Sequence, residues 1–68
     1  MKEIGKRIRE LRLAKNLSQT KLASLINTTQ DTISLWELGK SLPSIDYVIE
    51  LVKLFNVSAD YLLGIKEI

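Results

Sequence analysis

The feature that most constrains this chain is its punctuation. Ser18, Thr29, Ser44 and Ser58 each stand just ahead of a helical pattern, and Asn16, Asn27, Gly39, Asn56 and Gly64 each stand where such a pattern stops. A Ser or Thr oxygen can accept from the free N–H groups of a helix start. Asp31, Asp46 and Asp60 each follow such a start by two residues, where a negative charge meets the positive helix end. Asn and Gly tolerate the left-handed backbone that closes a helix. The marks predict five helices, over about 2–15, 18–26, 29–38, 44–55 and 58–63. Pro43 stiffens the loop ahead of Ser44 and ends the third helix cleanly. Apolar residues recur at three and four rather than two, so no strand is expected, and there is no repeat, low-complexity tract or linker.

The apolar faces agree with this division. The first helix sets Ile4, Ile8 and Leu11 on one side and Lys2, Lys6 and Arg9 on the other. Gly5 within it costs ~1 kcal/mol relative to Ala, which points to close packing there. The second helix offers Leu22, Ala23, Leu25 and Ile26, and the third Ile33 and Trp36. The fourth offers Ile45, Val48, Leu51, Val52 and Phe55, with Val57, Leu62 and Leu63 closing the core. The expected fold class is all-α, a five-helix bundle forming one domain over residues 1–68.

Composition narrows the possible functions. A chain of 68 residues, 46% of them hydrophobic, supports a single core. Lacking Cys and His, it offers neither disulfides nor Cys/His metal sites, and neither metal nor cofactor is expected. With no glycine-rich phosphate loop and no paired carboxylates in a cleft, no catalytic residues are assigned and an enzyme is not expected. No run approaches the ~20 apolar residues of a membrane span, and the N-terminus is charged throughout, so a cytoplasmic protein without membrane contact is expected. Through Lys40 there are eight Lys and Arg against four Asp and Glu; from Ser41 onward there are two against four. The basic half suggests a polyanion partner on its side.

That half contains Ser18 to Gly39, SQTKLASLINTTQDTISLWELG, which reads as two short helices joined by a tight turn. Ala23 falls where the second helix crosses closest to the third, and Asn27 falls at the turn. Ile33 and Trp36 point to the core, leaving Gln30, Asp31, Ser34 and Leu35 on the outer face of the third helix. A helix end fits the major groove, ~12 Å wide, where each base pair displays a distinct donor and acceptor pattern. There Gln pairs bidentately with adenine, Asp accepts from the cytosine amino group, and Leu meets a thymine methyl.

Over Ile4 to Gly64 the chain resembles the lambda-repressor-like helix-turn-helix domain, the Xre family of phage and bacterial regulators. The matching segments are IGKRIRELR, LSQTKLA, TTQDTISLWELGKSLP and IDYVIELVKLFNVSADYLL. Within them Ser18-Gln19, Leu22-Ala23, Ile33-Ser34, Glu37, Gly39-Lys40 and Pro43 carry the likeness. It implies a sequence-specific regulator of double-stranded DNA, of repressor type. It further implies that Gln30, Asp31, Ser34 and Leu35 meet base edges. Ser18, Gln19, Thr29, Thr32, Lys40 and Ser41 would hold phosphate, and Arg12 would pair with Glu37. Departures from the family pattern are Asn27 in place of the turn Gly, Leu38 in place of Asn, an apolar Leu35, and a single Lys after the third helix.

A second surface is expected from Tyr47 and Leu54, off the main core arc of the fourth helix, followed by Tyr61, Ile65 and Ile68. Covering it in a symmetric homodimer would set two reading helices one DNA turn apart, ~34 Å, over two-fold symmetric half-sites. The alternative use of that surface is an antitoxin or interaction module that also binds its own promoter.

Overall fold

A computed structural model describes residues 2–66, the side chain of Lys2 excepted. Its elements are α1 (Lys2–Ala14), α2 (Gln19–Leu25), α3 (Gln30–Glu37), α4 (Ile45–Phe55) and α5 (Ala59–Leu62), each within two residues of its expected bounds. Three starts are capped as the residues predict. Ser18 Oγ accepts from Lys21 N (2.9 Å), Thr29 Oγ1 from Thr32 N (3.2 Å) and Ser58 Oγ from Tyr61 N (3.0 Å). Ser44 is the exception. Its backbone is extended at the cap position, but its side chain makes no capping bond, and its carbonyl accepts from Val48 N at 2.9 Å.

The stops share one mechanism. Asn16, Asn27 and Asn56 take φ of 57°, 59° and 55°, and Gly39 and Gly64 take 75° and 81°. After each, the next N–H reaches back five residues: Leu17 to Arg12 O (3.1 Å), Thr28 to Ala23 O (2.9 Å), Lys40 to Leu35 O (2.9 Å), Val57 to Val52 O (3.1 Å) and Ile65 to Asp60 O (2.8 Å). This is the bond of a Schellman ending, which uses carbonyls the helix leaves free. A residue that tolerates positive φ is therefore required at all five positions.

The core gathers Ile4, Ile8, Leu22, Ala23, Ile26, Ile33, Trp36, Val48, Leu51, Phe55 and Leu62. Leu11, Val52, Val57 and Leu63 pack half-buried against it. Two expected core residues are on the surface: Leu25 is 46% exposed and Ile45 69%. At ~100° per residue, Leu25 lies about 110° from the arc shared by Leu22, Ala23 and Ile26. Ile45, in the first turn of α4, is about 90° from the Val48, Leu51 and Phe55 arc.

The reverse correction applies to the expected apolar surface. Tyr47 and Leu54 pack half-buried against the core, and the Tyr47 ring lies 5.3 Å from that of Trp36 at 58°. Tyr61 is half-buried with the Arg7 guanidinium 4.3 Å over its ring. Of that surface Ile65 stays exposed, and Ile68 lies outside the described residues.

Gly5 decides how α1 meets α3. A Cβ there would run into the Trp36 carbonyl oxygen and sit 3.1 Å from its carbon and 3.2 Å from Glu37 O. The missing side chain lets the α1 backbone lie directly on the last turn of α3. No helix among the described residues is long and apolar enough to cross a membrane.

Candidate nucleic-acid interface

The third helix is held at both ends. Ile33 and Trp36 are buried, at 0% and 2% exposure, so one face of α3 is committed to the core. Thr29 caps its start, and its Oγ1 also lies 2.9 Å from Thr32 Oγ1. At its end Glu37 meets Arg12 of α1 in a two-point ion pair. Arg12 Nε donates to Glu37 Oε2 at 2.7 Å and Nη2 to Oε1 at 3.0 Å, with the side chains 10% and 4% exposed. Arg12 Nη1 also donates to Leu17 O at 2.8 Å, drawing in the turn before α2. The hydrogen bond to Glu37 raises the Arg12 pKa above its ordinary value, against the opposing effect of burial, so its charge persists at any working pH.

A chain of amides runs outward from this pair. Gln19 Nε2 donates to Glu37 Oε1 (3.1 Å), and Gln30 Nε2 donates to Gln19 Oε1 (2.6 Å). The first residue of α2 and the first of α3 are thereby joined to the buried ion pair. The Arg12–Glu37 contact was expected; the link from Gln19 to Gln30 was not. Its only sequence signal is two glutamines, each directly following a capping residue, at the starts of consecutive helices.

On the outer face, Gln30 and Asp31 are exposed, Leu35 is 42% exposed and Ser34 is half-buried. These four lie on the α3 surface that the core leaves free. Ser18 and Thr29 are exposed at the two helix starts, while Gln19, Thr32 and Ser41 are half-buried. The oxygens of Ser18 and Thr29 accept in capping, which leaves the Ser18 O–H, one O–H of the Thr29–Thr32 pair and the N–H groups not used by the caps to meet an anion. Lys40 is exposed after α3 and makes no ion pair among the described residues. Leu38, 65% exposed, extends the apolar character of this edge.

A two-helix unit of this form, with a buried rear face and a polar, capped leading end, defines a helix-turn-helix protein. A helix-turn-helix family model matches residues 8–62, and the chain belongs to that family, in its lambda-repressor-like, or Xre, branch. It is 35% identical to the HTH-type transcriptional activator BcrR of Enterococcus faecalis over 66 residues, 97% of this chain and 32% of that protein. The chain thus spans about a third of that curated relative. Among solved structures it is similar to the P22 c2 repressor in complex with synthetic operator 9T, with 29% identity, 91% of this chain and 94% of that one covered, and a TM-score of 0.84. It is also similar to the restriction-modification controller protein C.AhdI of Aeromonas hydrophila, with 31% identity, coverage of 90% and 88%, and a TM-score of 0.79.

Proposed function

We propose that this chain is a sequence-specific double-stranded DNA-binding transcriptional regulator of repressor type that reads the major groove with α3. The observation that carries the reading is the leading end of α3, where Gln30 and Asp31 are exposed while Ile33 and Trp36 lock the helix to the core. A rigid rod with a free polar tip is what groove reading requires, because a loosely held helix would lose in ordering entropy what its contacts gain. The likeness to a repressor solved on its operator supports the same use.

In this reading Gln30, Asp31, Ser34 and Leu35 meet base edges. The α2 and α3 starts, with Ser18, Gln19, Thr29 and Thr32, receive backbone phosphate, and Lys40 and Ser41 hold phosphate beyond α3. Phosphate contacts position the domain and supply salt-sensitive affinity, while base contacts select the site. No chemistry is needed: occupancy of a promoter is the effect, exerted in the cytoplasm where the DNA is.

The protein acts as a homodimer on DNA. Its Cα extents are 27 × 23 × 21 Å, short of the ~34 Å between successive groove faces on one side of the duplex, so two half-sites call for two copies.

Selection of bound sequences from a random duplex pool, followed by titration at rising salt, tests the function. The expected result is an enriched site with two-fold symmetry and affinity that falls steeply with salt. Equal affinity for the enriched site and random duplex would refute it.

A further inference from the structure

Resting on the DNA-reading function proposed above, we infer that Glu37 is a positioning residue that sets the base preference of Gln30 by fixing which way two side-chain amides point. An ionised carboxylate can only accept hydrogen bonds. Glu37 is held in the ion pair with Arg12, Oε2 on Nε at 2.7 Å and Oε1 on Nη2 at 3.0 Å, at 4% side-chain exposure. Gln19 must therefore meet it with nitrogen, as it does at 3.1 Å. That turns Gln19 Oε1 toward Gln30, and because a carbonyl oxygen also only accepts, Gln30 must present its nitrogen, as it does at 2.6 Å.

The consequence lies at the free end of the chain. Once Gln30 Nε2 has donated one hydrogen inward, the outward groups are Oε1 and one N–H, an acceptor beside a donor. That pair is the complement of the adenine N6–H and N7. With the amides reversed, Gln30 would accept from Gln19 through its oxygen and turn both N–H donors outward, the complement of guanine O6 and N7. An unanchored glutamine turns either way, because its terminal torsion is broad and two-fold. The anchored one reads adenine. The polarity starts at a buried carboxylate that never reaches the surface.

The test selects bound duplexes from a random pool with the parent chain and with Gln30→Ala, Gln19→Ala and Glu37→Gln. The position at which Gln30→Ala loses its preference marks the base that Gln30 meets. In the parent, adenine is expected to exceed guanine there by at least about tenfold, within the range of one bidentate pair. Gln19→Ala and Glu37→Gln are expected to bring that ratio to within about threefold of unity, with preferences elsewhere unchanged. A folded variant that loses affinity yet keeps the parental ratio overturns the inference, since a merely structural role lowers binding to every sequence alike. Guanine preference in the parent, or no position that responds to Gln30→Ala, overturns it too. Where circular dichroism finds Glu37→Gln unfolded, nuclear Overhauser contacts in the parent decide. The Gln19 amide protons must face the Arg12–Glu37 pair and those of Gln30 must face Gln19; the opposite arrangement refutes the relay. A parent that enriches no sequence refutes the DNA-reading function itself.

Discussion

Arg12 and Glu37 are joined by two hydrogen bonds, at 2.7 and 3.0 Å, that tie the C-terminal part of α1 to the last residue of α3. The pair is almost fully withdrawn from water, at 10% and 4% side-chain exposure. Its energetic meaning is therefore asymmetric. The intact pair roughly offsets its own desolvation, whereas a single survivor is a buried charge without a partner.

Replacing one partner is thus expected to cost far more than the pair contributes. Arg12→Ala or Glu37→Ala is expected to destabilise the fold by ~3–5 kcal/mol, and Arg12→Met combined with Glu37→Leu by clearly less than either. Urea unfolding of the three variants checks the order; a double variant as unstable as the sum of the singles would contradict it.

Gly5→Ala is a test of helix crossing. In an isolated helix this change gains ~1 kcal/mol. Here the added methyl meets the Trp36 carbonyl oxygen, so the helices must separate, and a net loss of ~1–3 kcal/mol is expected. A rise in melting temperature would mean that α1 and α3 do not touch at this point.

Among the surface residues, Gln30→Ala and Lys40→Ala are expected to weaken DNA binding in different ways. Gln30→Ala should cost ~1–3 kcal/mol on the selected site and little on random duplex. Lys40→Ala should weaken both alike and lower the salt slope by about one. Equal losses on the two duplexes for Gln30→Ala would place that residue among the phosphate contacts instead.

The redistribution of apolar residues is measurable as well. Leu25→Lys and Ile45→Lys, at positions 46% and 69% exposed, are expected to change stability by no more than ~0.5 kcal/mol. Trp36→Ala, at a position 2% exposed, is expected to cost ~3–5 kcal/mol. Thermal or urea unfolding distinguishes the two classes, and a large loss from Ile45→Lys would return that residue to the core.

Five helix ends and the family could be read from the residues alone. A cap or a Schellman ending is closed by bonds spanning at most five residues, so Ser18, Thr29, Asn27 and Gly39 carry their own instruction. Ser44 shows the limit: it holds the cap position through backbone conformation while its hydroxyl is unused for capping. At the candidate site, periodicity separated the outer face of α3 from Ile33 and Trp36. It carried no information on what Gln19 and Gln30 do to each other, because they begin different helices.

What the chain determined by itself is where each helix begins and ends and which side of α3 is polar, because those properties follow from neighbours a few bonds away. What the tertiary structure decided is how the helices cross. The crossings draw Tyr47 against Trp36 and bring Gln19 and Gln30 within 2.6 Å. Such contacts depend on the angle and closeness of whole helices, here set by a glycine seated on a carbonyl and an ion pair spanning 25 residues.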